Sequence, residues 1–165
     1  MGVKRMNYCI NGEWVPSKTD KYMPITDSST GEVIAEVPSC TKEEVLAAIA
    51  SAQEAFPAWS ALSISKRTQY MFTWRDVLIK HKEELSQLCA KELGKTIGEA
   101  RGDVQKAIEP TELACAIPDL LQGETSMNVT TGYDTATYKA PLGVVAGIVP
   151  MNFPAMIPWG WMVPV

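Results

Sequence analysis

The stretch Gly143-Val144-Val145-Ala146-Gly147-Ile148-Val149-Pro150-Met151-Asn152-Phe153-Pro154 decides the fold prediction. Residues 144–149 are apolar and mostly β-branched, a pattern typical of a strand buried on both faces of a parallel sheet. The predicted strand leads into a turn in which two prolines flank Asn152. Ligands of open α/β sheets bind beyond the carboxyl ends of such strands. The pattern therefore predicts an α/β protein with a candidate ligand site at this turn.

Asn152 has two interpretations at this stage. A rigid amide N–H is the kind of donor that an oxyanion hole requires. An asparagine in a turn also commonly bonds its own backbone. The residues alone favour the turn role, and the donor role stays open.

The composition is that of a soluble globular protein. The chain has 165 residues, of which 46% are hydrophobic and 21% charged, and a net charge of −4. This acidic balance excludes the basic footprint of a nucleic-acid-binding protein. The N-terminal residues have no apolar run of signal-peptide length, which favours a cytoplasmic location. The four cysteines lack metal-ligand spacing and His81 is the only histidine, so no metal site is expected.

The segment 140–165 contains no charged residue and is long enough to cross a bilayer. Five prolines interrupt it, and each internal proline would remove a helical hydrogen bond. A buried strand followed by a buried turn is therefore expected instead of a membrane helix. Because the chain ends in an apolar run without a polar exit, we also expect it to be a truncated piece of a longer protein.

The remaining segments predict short strands and amphipathic helices. Strands are predicted at residues 8–14 around an Asn-Gly turn, at 22–25, at 32–37 and at 125–138. Helices are predicted after the capping box Thr41-Lys42-Glu43-Glu44, over about 65–80, over a third segment ending at Gly94, and from about Thr96 onward. The expected buried positions are Val45, Ile49, Ala52, Phe56 and Trp59, then Met71, Trp74 and Leu78, then Leu85, Leu88 and Leu93, then Ile97, Val104, Ile108, Thr111 and Cys115. Pro57 and Pro110 are expected to kink or end their helices.

Several motifs together resemble the aldehyde dehydrogenase superfamily. Val144 to Pro154 is similar to its strand-and-turn signature, which usually ends in Pro-Trp-Asn-Phe-Pro or Pro-Phe-Asn-Phe-Pro. Four more segments of the chain are similar to parts of the family. Ile10-Asn11-Gly12-Glu13-Trp14 resembles the opening hairpin, and Ala55-Phe56-Pro57-Ala58-Trp59 resembles the end of the first long helix. Glu92-Leu93-Gly94-Lys95-Thr96 resembles the Glu-x-Gly-Lys segment, and Ala140-Pro141-Leu142-Gly143-Val144 resembles the approach to the cofactor strand. The resemblance covers nearly the whole chain.

Within that superfamily, the chain is similar to the acylating methylmalonate-semialdehyde (malonate-semialdehyde) dehydrogenases. The similarity lies in the segments 102–104, 123–125 and 152–158. Three features depart from the pattern. Met151 replaces an aromatic residue, and Trp159-Gly160-Trp161-Met162 has one residue more before Trp-Met than those enzymes have. Lys106 stands where some members carry an arginine thought to meet the substrate carboxylate, and lysine keeps the charge but loses the bidentate geometry.

The resemblance implies an α/β fold, the N-terminal part of an aldehyde dehydrogenase with a Rossmann-like NAD(P)-binding domain and an oligomerisation β-arm. Residues 1–124 would form the hairpin, strands and helices of the NAD(P)-binding domain, residues 125–140 the arm, and residues 141–165 the first core strand and the Asn-Phe-Pro turn. The full-length protein would be a homo-oligomer, a dimer or a tetramer.

The resemblance also implies site residues and cofactors. Asn152 would be the oxyanion donor, and Val149, Pro150 and Met151 would contact NAD or NADP mainly through the backbone. Lys106 would face the substrate, a small-molecule aldehyde, and coenzyme A would accept the acyl group in the acylating subfamily. The nucleophilic cysteine would lie beyond Val165, so the chain alone is expected to be inactive. Two alternatives stay open: a non-catalytic interaction module and a fragment that binds a dinucleotide without chemistry.

Overall fold

The computed structural model describes residues 3–165. Its strands form one three-stranded sheet and two hairpins. The strands are β1 Lys4–Arg5, β2 Tyr8–Ile10, β3 Glu13–Val15, β4 Tyr22–Thr26, β5 Val33–Pro38, β6 Thr125–Thr130 and β7 Tyr133–Ala136. In the sheet, β5 pairs parallel with β1 and antiparallel with β4. The hairpins are β2–β3 and β6–β7, as the turn residues predicted.

The β2–β3 hairpin follows from its two turn residues. Asn11 and Gly12 have φ values of 52° and 77°, the left-handed conformation that a tight hairpin turn needs at both central positions. Asparagine and glycine adopt this conformation at low cost, so a local signal was sufficient to predict the hairpin.

Five α-helices and one π-helix complete the described part of the chain. Their bounds are α1 Lys42–Ser60, α2 Ile64–Lys80, α3 Lys82–Leu93, α4 Ile97–Ala114, α5 Ile117–Leu120 and the C-terminal π-helix Met156–Met162. The predicted capping box of α1 is present, and a second one opens α4, where Thr96 and Glu99 bond each other's backbone N–H. Gly94 ends α3 with a φ of 66°, as predicted.

Glu44 ties the start of α1 to the chain after β3. Its carboxylate accepts hydrogen bonds from the Ser17 hydroxyl and from the backbone N–H groups of Lys18 and Thr41, all at 2.7 Å. The two backbone N–H groups are the main reason that the pKa of Glu44 lies below its ordinary value. This carboxyl is 7% exposed, so its hydrogen bonds compensate for the loss of water.

The core is built around α4. Small and branched side chains on one face of α4 meet α2, α3 and the π-helix. The buried core residues are Leu78, Cys89, Ala100, Val104, Ala107, Ile108 and Ala155, with Trp74, Leu85 and Trp159 packed against them. The predicted inward positions Leu78, Val104, Ile108 and Thr111 are confirmed.

The C-terminal helix is a π-helix, and it contains Trp159-Gly160-Trp161-Met162, where the sequence departs from the pattern it resembles. The Val163 N–H bonds the Pro158 carbonyl five residues earlier at 3.2 Å, the wider spacing that defines a π-helix. Gly160 lies at the centre of this segment and is buried against α4. A π-helical turn holds more residues than an α-helical turn, so the additional residue expected from the resemblance would fit here.

The predicted strand at residues 144–149 does not form. These residues have no regular secondary structure, and Ile148 is fully exposed. A strand needs a neighbour to bond its N–H and C=O groups, and no described strand runs beside this segment. The division into residues 1–124, 125–140 and 141–165 stays a prediction.

Three helix predictions also need correction. The predicted buried face of α1 is largely open, since Val45, Ile49 and Trp59 are at least 40% exposed, although the Trp59 ring packs edge-on against Tyr70 of α2. Leu88 is exposed, because the buried face of α3 carries Ser86 and Cys89 instead. Ser86 can be buried because its hydroxyl bonds the Lys82 carbonyl.

Neither α1 nor α4 ends at its proline, and the alternative expectation of a kink stays a prediction. Helix α1 continues past Pro57 to Ser60, and α4 continues past Pro110 to Ala114. Each proline removes only one main-chain donor, and the neighbouring turns keep theirs. The Thr111 hydroxyl adds a bond to the Ala107 carbonyl at 2.9 Å beside Pro110. Ile97 and Cys115, at the ends of the predicted α4 face, are only partly covered.

None of the helices within residues 3–165 combines the length and the apolar character needed to cross a membrane.

We predict that Gly160→Ala destabilises the protein by about 1–3 kcal/mol, the usual cost of overpacking. An added Cβ would lie 2.7 Å from the Ala107 Cα, a backbone atom that cannot move aside without shifting α4. Urea unfolding followed by circular dichroism measures the change. Gly102→Ala is the matched control, because a Cβ there meets nothing within 4 Å and alanine favours a helix. Equal stability of the two variants would contradict the close packing of the π-helix on α4.

Candidate functional site

A groove beside the Asn-Phe-Pro turn brings the two predicted polar site residues together. It encloses about 540 Å³ between α4 and the turn. The residues that line it are Lys95, Glu99, Gly102, Asp103, Lys106, Asn152 and Phe153. Asn152 and Lys106 are 46 positions apart in the sequence, so only the packing of the turn on α4 places them around one space. We call this space the Asn152 groove.

Two side chains hold the turn on the wall of the Asn152 groove. The Lys95 ammonium donates to the Asn152 carbonyl at 2.7 Å and lies 4.7 Å above the centre of the Phe153 ring. Asp103 accepts from the Met156 backbone N–H at 3.0 Å. Lys95 and Asp103 are 3.4 Å apart and form an ion pair. The chain is therefore bonded at Asn152, the first residue of the Asn-Phe-Pro turn, and again at Met156, four residues later.

The burial of this ion pair is uneven. The Asp103 side chain is 1% exposed and the Lys95 side chain 21%. A buried carboxylate requires a partner, because an unpaired charge away from water is strongly unfavourable. Asp103 has two partners, the Lys95 ammonium and the Met156 N–H, and this explains its position on the apolar face of α4.

The sequence contained a signal for Asp103 that our prediction did not use. Asp103 belongs to the buried stripe of α4, whose other members are Ala100, Val104, Ala107, Ile108 and Thr111. A single carboxylate at a core position of an amphipathic helix indicates a buried partner. The partner itself could not be identified from the sequence, because Lys95 precedes α4 and Met156 follows it by many residues.

The predicted cofactor residues lie next to the Asn152 groove but do not line it. Val149, Pro150 and Met151 are all exposed, and Met151 is 73% exposed. They form a surface strip that ends at Asn152. Their exposure would let a flat ligand cover the strip from the solvent side.

Lys106 is a surface lysine at the edge of the Asn152 groove. It pairs with Glu109, with the ammonium 2.7 Å from the carboxylate, and the side chain is 62% exposed. The hydrogen bond from Lys106 is the main cause that lowers the pKa of Glu109. An exposed pair of this kind is weak, so Lys106 can exchange Glu109 for another carboxylate.

Neither Cys89 nor Cys115 has the properties of an activated thiol. Cys89 is buried, and desolvation raises its pKa to about 11. Desolvation also raises the pKa of Cys115, although nearby Arg75 acts in the opposite direction. A nucleophilic thiol needs a lowered pKa. No group of metal-ligating side chains occurs within residues 3–165.

A larger depression of about 650 Å³ lies before the start of α1, lined by residues 18–21 and 39–41. None of the predicted site residues lies there. We place the candidate site in the smaller Asn152 groove, because a positioned amide, two lysines and a buried carboxylate converge on it.

The sequence profile of the aldehyde dehydrogenase family matches residues 14–165. The chain therefore belongs to the aldehyde dehydrogenase family. It is 43% identical over 162 residues to a malonate-semialdehyde dehydrogenase of Listeria monocytogenes, an alignment that covers 98% of this chain and 33% of that protein. The chain thus spans about a third of the length of this curated relative.

Solved structures show the same fold. The methylmalonate-semialdehyde dehydrogenase of Oceanimonas doudoroffii superposes with a TM-score of 0.89 and 38% identity, over 99% of this chain and 33% of that chain. A Sinorhizobium meliloti protein, assigned as a methylmalonate-semialdehyde dehydrogenase and complexed with NAD, gives a TM-score of 0.90 and 31% identity, over 96% of this chain and 32% of that chain. These neighbours confirm the predicted fold and the resemblance to this group of dehydrogenases.

We predict that the four thiols react at very different rates with iodoacetamide at pH 8. Cys9 is exposed and should be alkylated first, whereas Cys89 should remain unmodified until the protein unfolds, since its thiol is buried and its pKa is raised. Mass spectrometry of peptides taken over time measures each rate. Alkylation of Cys89 in the folded chain at the rate of Cys9 would contradict the described core.

Proposed function

We propose that the complete protein is an NAD(P)-dependent aldehyde dehydrogenase that oxidises a small semialdehyde. The observation that supports this most directly is the position of Asn152, which lines a groove and whose main-chain carbonyl accepts a hydrogen bond from Lys95, in a chain of this family. The similarity to malonate-semialdehyde and methylmalonate-semialdehyde dehydrogenases indicates the substrate class.

Asn152 would stabilise the developing charge on the substrate. When a nucleophile adds to an aldehyde, the carbonyl oxygen becomes an anion. Asn152 is exposed and lines the Asn152 groove, and its side-chain N–H would donate to such an oxygen there. A donor held before the reaction needs little reorganisation, so it lowers the barrier more than it strengthens binding of the aldehyde. We expect the nucleophilic thiolate to come from residues outside this chain.

The cofactor would lie along the exposed strip formed by Val149, Pro150 and Met151. This strip ends at Asn152, so a nicotinamide placed there would be near the carbonyl carbon. Bound NAD(P) would accept the hydride. The backbone groups of the strip would orient it, and these contacts do not depend on the aromatic side chain that Met151 replaces. NAD is the first choice for testing, since a similar structure is complexed with NAD.

Lys106 would bind the carboxylate of the semialdehyde. It lines the same groove as Asn152, and its present partner Glu109 is a weakly held surface carboxylate. A lysine ammonium is a compact charge that attracts a carboxylate without the two-point geometry of arginine. We expect weaker selection for a carboxylate-bearing aldehyde than an arginine would provide.

Three further parts of the proposal concern the acceptor of the acyl group, the oligomeric state and the cellular location. Coenzyme A would accept the acyl group, as in the acylating enzymes that the sequence resembles. The β6–β7 hairpin has every residue exposed and would join copies of the chain into a dimer or a tetramer. A cytoplasmic location agrees with four free cysteines.

The proposal is tested on what we call the completed chain: residues 1–165 followed by the remaining two-thirds of the Listeria malonate-semialdehyde dehydrogenase. NADH formation with malonate semialdehyde, with and without coenzyme A, is expected from the completed chain. Residues 1–165 alone should form none. A completed chain that binds NAD tightly and forms no NADH would favour the alternative of a dinucleotide-binding fragment and overturn the enzymatic proposal.

We predict that Asn152→Ala lowers kcat of the completed chain by about 10²–10³, the usual effect of removing one oxyanion donor. The affinity for NAD should change little, because the cofactor strip uses main-chain atoms. Stopped-flow or steady-state NADH absorbance gives kcat, and fluorescence titration gives the Kd for NAD.

The competing role for Asn152 is bracing of the turn. In that case the variant would melt at a lower temperature and bind NAD less well, while kcat per folded, saturated site would stay near that of the unaltered chain. Tm, Kd and kcat measured on one preparation separate the two roles.

We predict that Lys106→Ala in the completed chain raises KM for malonate semialdehyde by about tenfold and leaves KM for propanal nearly unchanged. The factor corresponds to one partly exposed, charge-assisted hydrogen bond of about 1.5 kcal/mol. Glu109→Ala is the matched control, since it frees Lys106 without removing it. Equal changes with both aldehydes would assign Lys106 to structure.

A further inference from the structure

We propose that Lys95 and Asp103 are positioning residues that set the orientation of the Asn152 amide. This assignment rests on the proposed function, in which Asn152 is the oxyanion donor. Neither residue needs to touch the substrate. They act on the main chain of the turn, one at the Asn152 carbonyl and the other at the Met156 N–H.

The two contacts constrain the turn more than either would alone. Lys95 bonds the carbonyl of the donor residue itself, at 2.7 Å, and its ammonium covers the Phe153 ring. Asp103 bonds the N–H four residues away. Because the ion pair links the two contacts, a shift of the Asn152 carbonyl would have to separate Lys95 from a buried carboxylate. The main-chain position of Asn152, and with it the origin of its side chain, is therefore held to α4.

Lys95 and Asp103 connect the turn to α4, the helix around which the core is built. Asp103 lies in the middle of α4, on the face that carries the hydrophobic core. Lys95 directly precedes the capping box that opens the same helix. Lys95 thus lies just before α4 and Asp103 lies within it, so neither group depends on the segment 141–150. An amide that is misplaced by about 1 Å can lose on the order of 10²-fold in rate, so this anchoring has a measurable effect on catalysis.

A single substitution of Lys95 would change both the position of Asn152 and the stability of the fold, so the two effects could not be separated. Lys95→Met leaves the Asp103 carboxylate buried without its cation, which destabilises the fold regardless of any catalytic effect. The double variant Lys95→Met with Asp103→Asn removes this problem. The amide oxygen at position 103 can still accept the Met156 N–H, and no unpaired charge remains. The double variant therefore loses the donor to the Asn152 carbonyl, together with the ammonium that covers the Phe153 ring. The exposed lysine Lys91 supplies the matched control, Lys91→Met.

The experiment measures Tm, KM and kcat per folded, NAD-saturated site in the completed chain, with malonate semialdehyde and with propanal. We expect Lys95→Met to lower both Tm and kcat. The double variant should recover Tm, while kcat stays at least about tenfold below that of the unaltered chain for both aldehydes. Recovery of kcat together with Tm would overturn the assignment. An effect confined to KM for malonate semialdehyde would also overturn it, because Lys95 would then bind the substrate carboxylate.

A double-mutant cycle with Asn152→Ala tests whether Lys95 and Asp103 act through Asn152. In the Asn152→Ala background there is no amide left to position, so the double variant should lower kcat by no more than about twofold further. Multiplicative losses would show that Lys95 acts independently of Asn152 and would overturn the assignment. An inactive unaltered completed chain would overturn the proposed function itself. Full activity of the double variant in an active completed chain would overturn only the role of Lys95 and Asp103.

Discussion

The structure depends on one buried carboxylate. Asp103 lies on the apolar face of α4, and its charge is neutralised by Lys95 from the start of that helix and by the Met156 N–H from the C-terminal segment. Without these partners, the carboxylate would be expelled from the core, and the turn would lose its attachment to α4. The interaction therefore joins three parts of the chain that are far apart in sequence. It also determines where the Asn152 groove lies.

The packing around this carboxylate extends into the C-terminal segment of the chain. Ala155 is fully buried directly after the turn, and the Trp74 indole donates to the Trp159 carbonyl at 3.1 Å. Directly after Ala155 the chain forms the π-helix, in which Gly160 packs against Ala107. The π-helix lies beyond the turn and does not include Asn152. π-Helical turns are frequent near functional sites, and here the turn adjoins the candidate site directly.

The parts of the fold that were predicted correctly are those whose cause is local. The Asn11-Gly12 hairpin, the capping box at Thr41 and the glycine end of α3 each depend on residues within one turn of each other. The predictions that failed are those that require a partner. Residues 144–149 have the composition of a buried strand, but composition cannot supply the neighbouring strands. The apolar face of α1 is likewise a correct helical pattern whose covering surface is absent from the described residues.

The sequence by itself determined the family, most of the helices and strands, and Asn152 as the residue to examine, because motif spacing and capping are properties of short segments. It also contained Asp103 as a lone charge in the α4 stripe, although the prediction did not use it. Only the tertiary structure decided that Lys95 bonds the Asn152 carbonyl, that Lys106 shares a groove with Asn152, and that Leu88 faces solvent while Ser86 is buried. These contacts join residues separated by many positions, and their geometry is set by the packing of helices on α4, which no local pattern encodes.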